Sequence, residues 1–187
     1  MKKSSPKRLC PEQELSSLLS AAGAGGEKGL RAVNDAVAIY PDDPRIHFLK
    51  GSLLAGNEDF VGARASTRRA VDLAPDYAVA RFQLGFLLLT SGEPHAAQEA
   101  WGPLHGLPRQ NCLRSFVEGL CHLIRDEFVD AISSLEKGIA ANHENPPMNR
   151  DMHLIIEELH WKIAGHQGGV TSSVDQLLQQ SALKRRH

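Results

Sequence analysis

The 187-residue sequence has few of the features that support disulfide-linked or membrane-spanning structures. Its three cysteines, Cys10, Cys112 and Cys121, form no CxxC pair and leave an odd thiol, which favours a reducing compartment. No run approaches the ~20 apolar residues that a membrane span needs, and the N-terminus lacks the apolar core of a signal peptide. We therefore expect a cytoplasmic protein without a membrane span.

Neither sign of charge dominates, because 21 Lys and Arg residues face 22 Asp and Glu residues. A nearly neutral chain has no global field that attracts nucleic acid or an anionic membrane. Basic residues gather at the two ends: Lys2, Lys3, Lys7, Arg8, Lys184, Arg185 and Arg186. We interpret these ends as solvated tails, the alternative being a weak RNA, lipid or targeting contact. No nucleic-acid partner is expected.

Aromatic residues make up only 5% of the chain, yet several of them recur at a fixed interval. Three series of residues repeat every 34 positions: Phe48, Phe82 and Phe116; Gly51, Gly85 and Gly119; Ala63, Ala97 and Ala131. Self-similarity at this period is the signature of stacked helix pairs. Two antiparallel helices pack closely where small residues meet, so the Gly and Ala series mark the predicted contacts.

The positions of proline and glycine residues predict where the helices begin and end. The second half of an earlier, degenerate copy is predicted over 27–40, and three full copies follow with helices near 44–55 and 60–73, 78–90 and 94–104, and 111–124 and 128–141. We predict a disordered basic tail over 1–10 and a repeat domain over 11–164. That domain comprises a degenerate unit 11–43, units 44–77, 78–111 and 112–145, and a capping helix 148–164. Residues 165–187 are predicted as a flexible glycine-rich break and a C-terminal helix and tail.

The repeat resembles the tetratricopeptide repeat (TPR) family on two sets of residues: Gly51, Ala63, Ala70 and Pro75 in one unit, and Leu84, Gly85, Ala97 and Trp101 in the next. Thr67, Leu104, Arg109 and His143 depart from the family pattern. The resemblance implies an all-α fold, a right-handed TPR-like α-solenoid of helix-turn-helix repeats with C-terminal capping helices. It also implies a protein-protein interaction module whose first helices line a concave groove.

The candidate groove residues are apolar. Helical spacing puts Phe82, Phe86 and Leu89 on one stripe and Phe116, Leu120 and Leu123 on its equivalent, while Phe48 and Ser52 begin the stripe one unit earlier. These eight residues are the predicted partner-binding site, for an apolar peptide or an amphipathic helix. An apolar groove is similar to that of the family's small bacterial secretion chaperones, so the resemblance implies an adaptor or a chaperone-like protein.

Members of the family that grip the acidic C-terminus of heat-shock chaperones use Lys, Asn and Arg in the groove. Here the matching places hold Phe48, Ser52, Gln83, Leu113 and Val117, so no such carboxylate clamp is expected.

An apolar strip of this size should be covered, because monomers rarely expose contiguous apolar surface beyond a few hundred Å². Three covers are open: a protein partner, the chain's own helix near 172–184, or a sister chain in a homodimer. The last two define the alternative function, a constitutive structural subunit or homo-oligomer with a permanently filled groove.

Catalytic and metal-binding patterns are weak. His153, His160 and His166 lack the spacing of a closed zinc site, and neighbouring Cys121 and His122 point in different directions on a helix. The glycines of GAGGEKG at 23–29 lack the order of a phosphate-binding loop. We expect no enzyme, no cofactor and no metal.

Overall fold

The computed structural model describes residues 8–23 and 26–165, and every regular element in these two ranges is a helix. The predicted C-terminal helix near 172–184, most of the basic tail and the middle of GAGGEKG lie outside the described residues. By its internal contacts the chain divides into two compact units, Met1–Leu87 and Leu88–His187.

The first unit contains four complete helices and most of a fifth. They are α1 (Glu12–Gly23), α2 (Gly26–Ile39), α3 (Pro44–Gly56), α4 (Phe60–Leu73) and α5 (Ala78–Thr90), whose last turn belongs to the second unit. Helix α3 packs against both α4 and α2. Asp43 and Asp59 accept hydrogen bonds from backbone N–H groups in the first turns of α3 and α4, which satisfies donors that have no partner inside the helix.

The second unit contains α6 (Pro94–Trp101), a 3₁₀ turn (Gly102–Gly106), α7 (Cys112–Ile124), α8 (Phe128–Ala141) and α9 (Pro146–Ile163). Helix α7 packs against α8, and α8 against α9. No helix in the described ranges is long and apolar enough to cross a membrane.

The small residues lie at the closest approaches within the helix pairs. A Cβ placed on Gly119 of α7 would lie 2.7 Å from Leu135 Cγ and 3.1 Å from the carbonyl oxygen of Ala131 on α8. In α3, a Cβ on Gly51 would meet the Thr67 hydroxyl and would lie 3.1 Å from the Ala63 carbonyl oxygen on α4. The same contact therefore recurs at equivalent positions of two repeats, as the 34-residue interval predicted.

One predicted helix boundary is wrong by more than two residues. The helix expected to run from Pro94 to Leu104 ends as an α-helix at Trp101 and tightens into the 3₁₀ turn. Pro103 has no backbone N–H to donate within an α-helix, and Gly102 before it has low helix propensity. Arg109 and His143 mark the two unit borders that depart from the TPR pattern. There Asn111 caps α7, and Asn142 and Asn145 bond to each other before α9.

Candidate partner-binding surface

Two of the eight predicted site residues reach solvent, and both lie on α3. Phe48 is half-buried and Ser52 is exposed. They are four residues apart and share one helix face, with the Ser52 hydroxyl donating to the Phe48 carbonyl oxygen at 3.1 Å.

Tyr77 extends this face from the segment just before α5. Its ring centroid lies 5.3 Å from that of Phe48, and the two ring planes are inclined at 59°. Tilted aromatic pairs at this separation are mutually attractive. Tyr77 is half-buried, and desolvation raises the pKa of its phenol. Phe48, Ser52 and Tyr77 together are called the α3 surface below.

Sequence reasoning did not identify Tyr77, because it belongs to none of the series that recur every 34 residues. The signal that could have found it is its place beside Pro75, at the start of the helix that carries Phe82. At that position the Tyr77 ring contacts Phe48 of the preceding helix pair and does not extend the apolar face of α5.

The other six predicted residues are buried, with at most 4% of their surface exposed: Phe82, Phe86, Leu89, Phe116, Leu120 and Leu123. They contribute to packing in this structure and form no surface open to solvent. Their assignment to partner binding therefore stays a prediction.

Their surroundings explain part of this burial. The Phe116 ring on α7 packs against Gly138 of α8, where an added Cβ would lie 3.1 Å from Phe116 Cγ. Phe116 thus fills a space inside its own helix pair. Phe82 and Phe86 stack on each other with ring centroids 6.2 Å apart and planes within 13° of parallel. Helix α5 is apolar almost all round, and such helices are buried.

The three cysteines all lie in the described part of the chain, and their thiols are shielded from solvent to different degrees. Burial raises the pKa of Cys10, Cys112 and Cys121, so the reactive thiolate form is disfavoured at each of them. The Nδ1 atom of His122, in the last turn of α7, lies 2.6 Å from Oε2 of Glu127, the residue before α8. Glu127 also accepts a hydrogen bond from Arg125, which with His122 lowers the pKa of its carboxyl.

Metal-ligating side chains do not converge in the described part of the chain. No group of three or more His, Cys, Asp or Glu residues there could hold an ion. His153 and His160 are both exposed on α9, and His166 lies outside the described residues.

No protein-family model matches the sequence, and no curated protein matches it. The structure is similar to two solved structures of MamA, which are TPR-like helical-repeat proteins. The MamA RS-1 ArsTM double mutant is 14% identical, with 94% of this chain and 93% of that chain covered at a TM-score of 0.58. MamA 41-end from Desulfovibrio magneticus RS-1 is 15% identical, with 94% of each chain covered at a TM-score of 0.59. At this identity the similarity concerns the fold alone, and it confirms the predicted class, an all-α TPR-like α-solenoid.

Proposed function

We propose that this chain is a non-catalytic protein-protein interaction module, an adaptor or chaperone-like protein, that binds an apolar segment or an amphipathic helix of another protein. The observation that carries the proposal is the aromatic pair of Phe48 on α3 and Tyr77 before α5, which is only partly buried and lies on the same surface as Ser52. Aromatic side chains with one face packed and the other in water are frequent anchors of protein interfaces. An apolar side chain from a partner would gain free energy by covering these rings.

The polarity of the α3 surface favours a mixed contact. Phe48 and Tyr77 supply apolar area at low cost in conformational entropy, since each ring has only two side-chain torsions. Ser52 and the Tyr77 hydroxyl supply hydrogen-bonding groups at its edge. An amphipathic helix could place apolar residues on the rings and polar residues on these groups.

Affinity capture from a native lysate with quantitative mass spectrometry tests the proposal. Phe48→Asp should remove the captured partner, because a carboxylate would be desolvated in the contact. Val61→Asp is the matched control, since Val61 on α4 is 76% exposed and lies outside the α3 surface. Circular dichroism should show both variants to be helical. Equal capture by Phe48→Asp and the unchanged protein would reject this surface.

A constitutive structural subunit or homo-oligomer is the competing proposal, and one observation favours it. Six of the eight predicted groove residues are already buried, so most of the apolar strip needs no transient partner. Light scattering over a hundredfold range of protein concentration separates the two functions. A mass that stays at 20.4 kDa while a partner is captured supports the interaction module. A stable dimer with no captured partner supports the structural subunit.

A further inference from the structure

The N-terminal segment and α1 lie over an apolar face formed by α2 and α3. Leu15, Leu18 and Ala22 recur along one side of α1 and are buried, whereas Leu19 on its other side is 51% exposed. They join one apolar cluster with residues of the first three helices and the links between them: Cys10, Val33, Ala36, Tyr40 and Ile46. The apolar face of α2 and α3 is thus already covered by an amphipathic helix of the same chain, α1.

An ion pair between the buried Asp43 and the partly exposed Arg45 holds the start of this segment. The Cys10 N–H donates to Asp43 Oδ2 at 2.9 Å, and the Cys10 carbonyl oxygen accepts from Arg45 Nη2 at 2.7 Å. Asp43 is fully buried and bonds to Arg45 through both carboxylate oxygens, at 3.1 Å and 2.8 Å. Both backbone polar groups of Cys10 are therefore fixed by the same two side chains.

Further polar contacts join residues 8–14 of the segment to the neighbourhood of this ion pair. The Tyr40 hydroxyl donates to Glu14 at 2.7 Å, the Arg8 guanidinium lies 5.3 Å from the centre of the Tyr40 ring, and Arg45 also pairs with Glu12. The polar attachment of residues 8–14 thus depends on Tyr40, Asp43 and Arg45. Charged attachments of this kind are sensitive to the loss of one partner, because the other is left desolvated.

The contact between α1 and α2 is close at one point. A Cβ on Gly29 of α2 would lie 3.1 Å from the Ala21 carbonyl oxygen and 3.2 Å from Ala22 Cα, both backbone atoms of α1. Glycine ends α1 at Gly23 and begins α2 at Gly26. The close packing of α1 on α2 therefore requires a residue without a Cβ at position 29. The glycines between the two helices allow the chain to change direction there.

We propose that residues 8–23 form a releasable arm, which opens as one unit while α3 and α4 stay folded and uncovers a face of α2 and α3 for an amphipathic helix of a partner. The uncovered residues would be Val33, Ala36 and Ile46, with Leu49 and Leu53 at their border. The partner helix would carry apolar residues with the spacing of Leu15, Leu18 and Ala22. Local opening below the cost of global unfolding is typical of elements with few buried apolar side chains. This face excludes Phe48, so the inference stands apart from the proposed function.

The thiol of Cys10 reports on the arm, because it is buried when the arm is docked. The rate at which a thiol reagent labels Cys10 is compared with the rate of backbone hydrogen exchange in α3 and α4. Both rates are measured by mass spectrometry. Asp43→Asn keeps a side chain that can cap α3 and loses the acceptor for the Cys10 N–H. Gly29→Ala favours α2 as a helix and collides with α1.

Each of these two substitutions should raise the Cys10 labelling rate at least tenfold while exchange in the middle of α3 and α4 stays unchanged. Asp42→Asn is the matched control, since Asp42 pairs with Arg69 on the surface and should leave the rate unaltered. If Cys10 is labelled no faster than the slowest amides of α3 and α4 exchange, the arm opens only through global unfolding and the proposal is overturned. Rates that neither Asp43→Asn nor Gly29→Ala changes would also overturn it.

The docking face is tested with a synthetic peptide of residues 8–23, used under reducing conditions. The full-length chain with Leu15→Asp and Leu18→Asp should release its own arm and bind the added peptide at least tenfold more tightly than the unchanged chain. The control Leu19→Asp alters the exposed side of α1 and should bind it no better than the unchanged chain. Equal affinities for all three proteins would overturn the docking face, whatever the outcome for Phe48→Asp.

Discussion

Thr67 presents its hydroxyl oxygen to Gly51 at the contact between α3 and α4, and this buried oxygen has no hydrogen-bond partner. The equivalent position of the α7–α8 pair is Leu135, which fills the space against Gly119 with hydrocarbon. Thr67 therefore puts a polar atom where its counterpart in another repeat puts an apolar one.

Thr67→Val should raise the free energy of unfolding by about 1 kcal/mol, because the change keeps the shape and removes an unsatisfied hydroxyl. Urea-induced unfolding followed by circular dichroism measures the change. Thr67→Ser is the control, since it keeps the hydroxyl, loses a buried methyl group and should destabilise the protein. A lower stability for Thr67→Val would show that the hydroxyl is satisfied in solution.

Substitutions in the turn between the two helices of each repeat should change the stability of the protein. Glu58, Gly92 and Asp126 lie 34 residues apart, and their φ angles are 64°, 77° and 58°. This left-handed conformation is strained for residues other than glycine, and the strain is smaller for Asp than for Glu. Glu58→Gly should stabilise the protein by about 0.5 kcal/mol or more and Asp126→Gly by less, whereas Gly92→Ala should destabilise it by about 1 kcal/mol. Thermal unfolding of the three variants gives the order, and a gain from Gly92→Ala would contradict it.

The close approach at Gly119 predicts a steric cost. Gly119→Ala would normally favour a helix by up to about 1 kcal/mol, but the added Cβ would overlap Leu135 and crowd the Ala131 carbonyl oxygen. Overpacking of this kind costs about 1 to 3 kcal/mol, so the net effect should be destabilising. Gly56→Ala at the end of α3 is the control, because a Cβ there meets nothing within 4 Å. Similar stabilities for the two variants would contradict the close contact.

The pH dependence of stability should contain a contribution from Asp43. Its burial alone would raise the pKa of the carboxyl, but the hydrogen bonds from Arg45 and from the Cys10 N–H outweigh burial and lower the pKa below the ordinary 3.8. A carboxyl with a lowered folded-state pKa contributes stability that is fully present above the unfolded-state pKa. This contribution is lost as pH falls through the folded-state value.

The free energy of unfolding should therefore fall as pH drops below about 4, and Asp43→Asn should reduce this fall. Urea unfolding at a series of pH values measures both slopes. Asp42→Asn is the matched control, since it removes a carboxylate that pairs with Arg69 on the exposed side of the same turn. An unchanged acid slope in Asp43→Asn would mean that Asp43 titrates alike in the folded and unfolded chains.

The helices and their contacts could be read from the sequence, because they depend on local signals. Pro44, the 34-residue interval and the small residues at Gly51 and Gly119 place the helix pairs, and α4, α5 and α8 begin and end where the sequence predicted. The prediction of α6 was wrong because the helical pattern outweighed Pro103, which has no backbone N–H.

The candidate site was harder to predict. Helical spacing shows that Phe116 and Leu120 share a face, but it does not show whether another helix covers that face. Burial of Phe116 depends on Gly138, and the attachment of Cys10 depends on Asp43, 33 residues away. Such pairings follow from packing between elements and leave no periodic signal in one sequence.

Photo-crosslinking from the α3 surface tests the proposed interaction most directly. A photoreactive phenylalanine analogue is placed at Phe48, and in a matched protein at Val61, before irradiation in a native lysate. The proposed function predicts one dominant crosslinked protein from position 48 and none from position 61. No crosslink from position 48, or the same products from both positions, would contradict it.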